Sequence, residues 1–216
     1  MRTTRIQILV AAAVAAGLIA AAPAAATAYD PDAEIFATNN TRVITDPGDP
    51  ALNDRLRPFA REVKRIIRAG GADPGRTRLL DGVFFDSELG TTTFERSRGF
   101  DVERVSAREL DAIAERIRVR FSQQSVLTFD HLRAGHPRVD AARLQVPGVS
   151  AGALREGLLA DAQAREELFG GSVNQDDELI LVAELDDLQL ARRFARSIGG
   201  DVRAADTDFG DSEFVG

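Results

Sequence analysis

The 216-residue chain carries 27 basic and 34 acidic side chains, for a formal charge of −7, and contains neither cysteine nor tryptophan. Disulfides, thiol catalysis and thiolate metal centres are thereby excluded, and so acidic a chain is a poor candidate for binding nucleic acid or anionic lipid through a broad basic surface. Lys64 is the only lysine, so arginine abundance reads first as codon bias and only second as anion recognition.

Taken in chain order, Arg2 and Arg5 precede an uncharged apolar run from Ile6 to Ala22, then Pro23 and small residues. This is the layout of a secretory signal peptide, with cleavage expected before Tyr29 at the small-x-small triplet Ala26-Thr27-Ala28. An uncleaved anchor is the rival, and Pro23 with the alanine-rich cleavage region weighs against it. Removing residues 1–28 takes away two arginines, so the charge of the secreted chain moves from −7 to −9.

Ile35, Phe36, Val43 and Ile44 read as a strand or two short ones between Glu34 and Ile44, broken by the turn formers of Asp46 to Pro50. Leu52, Leu56, Phe59, Val63, Ile66 and Ile67 recur every three or four residues, which is one face of a helix ending at Gly70-Gly71. Pro58 requires that helix to start late or to bend. Thr77 to Asp86 and Thr91 to Val102 predict a hairpin, and Ser106 with Glu109 forms a capping box opening a helix that buries Leu110, Ile113, Ala114, Ile117 and Phe121. A strand from Ser125 to Asp130 follows. The order strand, helix, strand, strand, helix, strand predicts a ferredoxin-like α+β sandwich, helices on one face of an antiparallel sheet, for residues 29–137.

Residues 138–205 predict a second α/β half that extends or follows the first. It holds a strand at Ala142 to Val146, a helix capped by Ser150 and ending at Gly170-Gly171, a strand buried on both faces at Leu179 to Ala183, a helix through Phe194, and a last strand at Val202 to Ala205. Residues 206–216 are acidic and rich in turn formers, and read as a mobile tail.

The run Arg120, Phe121, Gln123 or Gln124, Ser125, Val126 and Leu127, at the exit of the second helix, resembles a family of small secreted bacterial proteins of unknown function. The resemblance spans Arg118 to Asp130. It implies a ferredoxin-like first half and brings no activity.

Four constellations are candidates for chemistry. His131 and His136 are the only histidines; on an extended strand Asp130 and His131 point apart, so the pair reads as a sheet-edge residue and a loop residue. Arg96 and Arg98 share a strand face with Phe94 and Phe100 and could clamp an anion through their planar donor forks. Thr93, Glu95, Ser97 and Asp101 take the other face. The plainer reading of the arginines is that their stems cover the sheet while their charges pair across the hairpin. Asp206, Asp208, Asp211 and Glu213 could offer oxygens to calcium, although their order departs from an EF-hand loop. Ser150 centres the Gly-x-Ser-x-Gly of residues 148–152, but both histidines precede it, so it reads as a helix cap.

These observations lead to an expected secreted, non-catalytic binding or interaction module with no assigned cofactor, whose partner is a protein or small anionic ligand. Self-association through the sheet is a further possibility. The alternative is a cofactor-free secreted enzyme holding an anionic substrate at Arg96 and Arg98.

Overall fold

The first six predicted elements form in the predicted order. They are β1 (Ala33–Thr38), α1 (Leu56–Ala69), β2 (Asp73–Asp86), β3 (Thr91–Glu103), α2 (Ala107–Phe121) and β4 (Val126–Leu132). The computed structural model describes residues 31–216 as a single unit; the predicted signal peptide and its cleavage point lie outside the described residues. Helix α1 buries Phe59, Val63 and Ile67 on one stripe, with Pro58 in its first turn, where a missing N–H costs no helical hydrogen bond. At α2, the Glu109 carboxylate accepts from the backbone N–H and the hydroxyl of Ser106, completing the predicted box.

The second half repeats the scheme as β5 (Ala141–Pro147), α3 (Ala151–Ala160), α4 (Ala162–Glu167), β6 (Gly170–Asn174), β7 (Glu178–Glu184), α5 (Leu188–Ser197) and β8 (Asp206–Val215). Each half arranges its four strands alike, as β4-β1-β3-β2 and β8-β5-β7-β6, and the two sets join at β2 to β6 and at β4 to β8. Every pairing is antiparallel and the ring of eight strands is closed.

This closure corrects the predicted ferredoxin-like sandwich. A sandwich of that kind leaves an open sheet with helices on one face, whereas here the sheet curls into a barrel and the helices pack on its outside. Two outer cores result. Ala33, Ile35, Phe100, Val102 and Val126 pack with Phe59, Val63 and Ile67 of α1 and Leu110, Ile113 and Ile117 of α2. Val83, Leu144, Val146, Leu179 and Leu181 pack with Leu154 and Leu158 of α3 and Leu190 and Phe194 of α5.

The strand expected to run on through Val43 and Ile44 ends at Thr38, and β6 and β8 also differ from expectation. Gly170-Gly171 begins β6 rather than merely ending a helix, Val202 to Ala205 is a turn, and the segment expected to be a mobile tail is β8, held between β5 and β4. The proposed boundary at 137/138 consequently falls inside one barrel. At both joins between the halves a glycine permits close approach: a Cβ on Gly170 would lie 2.3 Å from the Val83 carbonyl oxygen, and one on Gly210 2.5 Å from that of Asp130.

Candidate functional site

Side chains alternate along each strand, so the residues between those packed against helices face the barrel interior. The contact of Arg143 with Glu34 demonstrates this directly. Their strands, β5 and β1, are separated in the sheet by β8 and β4, so the side chains meet only by crossing the enclosed space.

Glu34 lies opposite Asp101 in the β1–β3 pairing, and both are 0 % exposed. Two carboxylates this close and this dry require cations. Arg78 Nη2 donates to Glu34 Oε1 at 2.7 Å and to Asp101 Oδ1 at 3.0 Å. Arg143 donates through Nη1 to Glu34, and through Nη2 and Nε to Asp208 Oδ2 at 2.7 and 3.1 Å. Arg76 Nε lies 3.5 Å from Asp101 Oδ2, and His131 Nε2 lies 3.6 Å from Glu34 Oε1. Burial pushes the Glu34 carboxyl up, but the His131 hydrogen bond and the Arg143 and Arg78 charges outweigh it and hold the group at about 2. For Asp101, burial prevails and raises the pKa, helped by Glu34 and opposed first by Arg78. Each acid of this cluster is engaged by an arginine, and the arrangement braces the barrel across its interior.

Glu95 differs from them. It faces inward from β3 opposite Gly82, and next to it the Phe84 ring lies over the glycine, 2.7 Å from where a Cβ would stand. Desolvation alone acts on its carboxyl and raises it to about 7. The inward apolar residues toward the same end, Phe36, Phe84, Leu127 and Val182, are only partly buried, while their outward neighbours Ile35, Val83, Val126 and Leu181 are sealed under helices. At that end, where β1, β2, β7 and β8 finish, Leu89, Leu185 and Phe214 are exposed. The result is a barrel end with partly exposed inward apolar side chains, apolar residues at its rim and the Glu95 carboxyl on its wall.

The residues singled out from the sequence lie elsewhere. Arg96 and Arg98 face outward, Arg96 paired with Asp81 across the hairpin at 2.8 Å. No carboxylate pairs with Arg98 among the described residues, and burial pushes its pKa down. The four tail acids divide between the two faces of β8. Asp206 and Asp208 face inward, with Asp208 on Arg143, while Asp211 and Glu213 face outward, with Asp211 on Arg138. Among the described residues no group of three or more histidines, cysteines or acids could hold a metal ion. Asp130 and His131 do point apart, Asp130 to Arg138 at 2.6 Å and His131 toward Glu34, on a strand that is paired on both sides and so is no sheet edge. The His136 Nδ1 accepts from the Arg138 backbone N–H in the following turn.

Ser150 is a cap: its hydroxyl accepts from the Ala153 N–H at 3.2 Å. Ser150→Ala is accordingly expected to lower the unfolding free energy by about 1 kcal/mol in urea denaturation. A larger loss would mean that this serine does more than end a helix.

Comparison with family models, with curated proteins and with solved structures gives no match. The residues that define the interior, Glu34, Arg78, Asp101, Arg143 and Glu95, were not candidates on sequence. One signal was present: Glu95 and Asp101 share the strand face opposite the arginines. A second was the placing of Glu34 and Arg143 within otherwise apolar strands, "AEIFAT" and "AARLQVP".

Proposed function

We propose that the chain is an exported, non-catalytic binding protein that takes one small, largely apolar molecule into the end of its barrel lined by Phe36, Phe84, Leu127 and Val182. The observation that carries this reading is the partial exposure of those inward apolar side chains while their outward neighbours Ile35, Val83, Val126 and Leu181 are buried. An eight-stranded barrel is wide enough either to be filled by side chains or to hold one small ligand, and accessible apolar surface inside it favours the second. Asp81 engages Arg96 while no carboxylate pairs with Arg98 among the described residues, so a two-arginine clamp for an anionic substrate is only half available on the outer face. Export follows from the leader read in the sequence, so the secreted form begins at Tyr29.

Residues 29–216, purified from culture supernatant, are expected to bind the neutral dye N-phenyl-1-naphthylamine with a saturable rise in fluorescence at one equivalent. Val182→Trp, which fills the lining, should weaken binding at least tenfold with circular dichroism unchanged. Absence of binding by the wild type, or equal binding by the variant, would remove this reading.

A further inference from the structure

We infer that Glu95 is the recognition point for a cationic amine, so that the molecule taken by the barrel is an apolar amine rather than a neutral or acidic compound. This rests on the barrel end being the binding site. Glu95 stands opposite Gly82, whose absent side chain makes way for the Phe84 ring: a Cβ there would lie 2.7 Å from that ring and 3.4 Å from the Cβ of Glu95. None of the hydrogen bonds or ion pairs of the described residues reaches its carboxylate, in contrast to Glu34, Asp101 and Asp208, all of which are held by arginines.

The groups around it supply no cation. From β2 it meets Gly82 and Phe84, from β1 the inward residues are Phe36 and Thr38, and from β6 they are Ser172 and Asn174. Asn174 already donates to Glu178, Arg78 is committed to Glu34 and Asp101, and the neighbouring Arg96 points outward to Asp81. A desolvated carboxyl with no cation beside it costs stability, and groups of this kind concentrate where a ligand completes them. An ammonium does so by direct pairing, with the Phe84 ring beside it adding attraction for a cation. A carboxylate or phosphate would instead place like charges together.

The competing arrangement is a protonated Glu95 donating to a neutral acceptor, and pH separates the two. Burial holds the carboxyl at about 7, so ionisation rises about tenfold between pH 6 and pH 8 while an alkylamine stays protonated. Amine affinity therefore rises over that interval and acceptor affinity falls.

The experiment is displacement of N-phenyl-1-naphthylamine by hexylamine and by 1-hexanol at pH 6 and 8, on the wild type and on Glu95→Gln. Hexylamine should displace the dye more strongly than hexanol at pH 8 and should gain about tenfold from pH 6 to pH 8. Glu95→Gln should abolish both the preference and the gain. If the dye binds but hexanol equals or exceeds hexylamine, or if Glu95→Gln keeps the amine preference, the assignment of Glu95 falls and the binding site stands. If the dye does not bind at all, both fall.

Discussion

Arg143→Met is expected to lower the unfolding free energy by about 3–5 kcal/mol at pH 7, with a fall in Tm on the order of 10 °C. The reason is geometric. Arg143 reaches across the interior from β5 to Glu34 on β1 while its other nitrogens hold Asp208 on β8, so one side chain links strands from both halves. Methionine fills much of the same volume but leaves Glu34 with only Arg78 and His131, in a position with no access to water. An uncompensated buried charge costs far more than the intact pair contributes, so the companion variant Glu34→Gln with Arg143→Met should recover a large part of the loss. Urea denaturation of the single and double variants measures this. A single variant within 1 kcal/mol of the wild type would mean that the cross-barrel contact braces nothing.

The same contact explains why the fold was only partly legible. Helices α1 and α2 and strand β3 could be read because their apolar positions recur with the period of the element and are buried against one another. The β-α-β-β-α-β order followed from them, and it implied an open sheet. Closure depends on β6 and β8, which form the joins β2–β6 and β4–β8, and neither has the apolar alternation of a half-buried strand. In β6 two adjacent glycines imitate a helix terminus, although they serve a close approach between strands. In β8 the inward positions include Asp206, Asp208, Gly210 and Ser212, polar or small because this interior is charged and crowded. A rule that sends apolar residues inward reads such a strand as a tail.

The candidate site was hidden by the same inversion. Alternation along "TFERSRGFD" separates two faces, and the one bearing Arg96 and Arg98 is the outside of the barrel. Glu95 and Asp101 were on the inner face, and only the closed topology turns that face into an enclosure. Nothing local distinguishes Glu34 from a solvent-facing acid, because its partners Arg78, Asp101 and Arg143 come from positions 44, 67 and 109 residues away.

Glu95→Gln is expected to stabilise the protein by up to about 3 kcal/mol at pH 8 and to change it little near pH 4.5. The carboxyl is raised by burial from 4.5 to about 7, so an unfolded chain releases this proton at lower pH than the folded one. Below pH 4.5 both states hold the proton and Glu95 imposes no charge penalty. Between pH 4.5 and 7 the unfolded state is favoured increasingly, and above pH 7 the full penalty is present. Glu34 acts with the opposite sign: held at about 2 against 4.5, it contributes stability that is complete above pH 4.5 and is lost as the pH falls toward 2. The two effects occupy separate windows, so urea titrations at pH 3, 4.5, 6 and 8 resolve them. The wild type should be most stable near pH 4.5 to 5, whereas Glu95→Gln should keep its acid-side loss and show a much shallower decline from pH 5 to 8. A variant that loses as much stability as the wild type between pH 5 and 7 would show that the proton in that window belongs to another group. A saturating amine should have the same levelling effect on the wild type, because pairing the ionised carboxyl removes the penalty that glutamine removes by substitution.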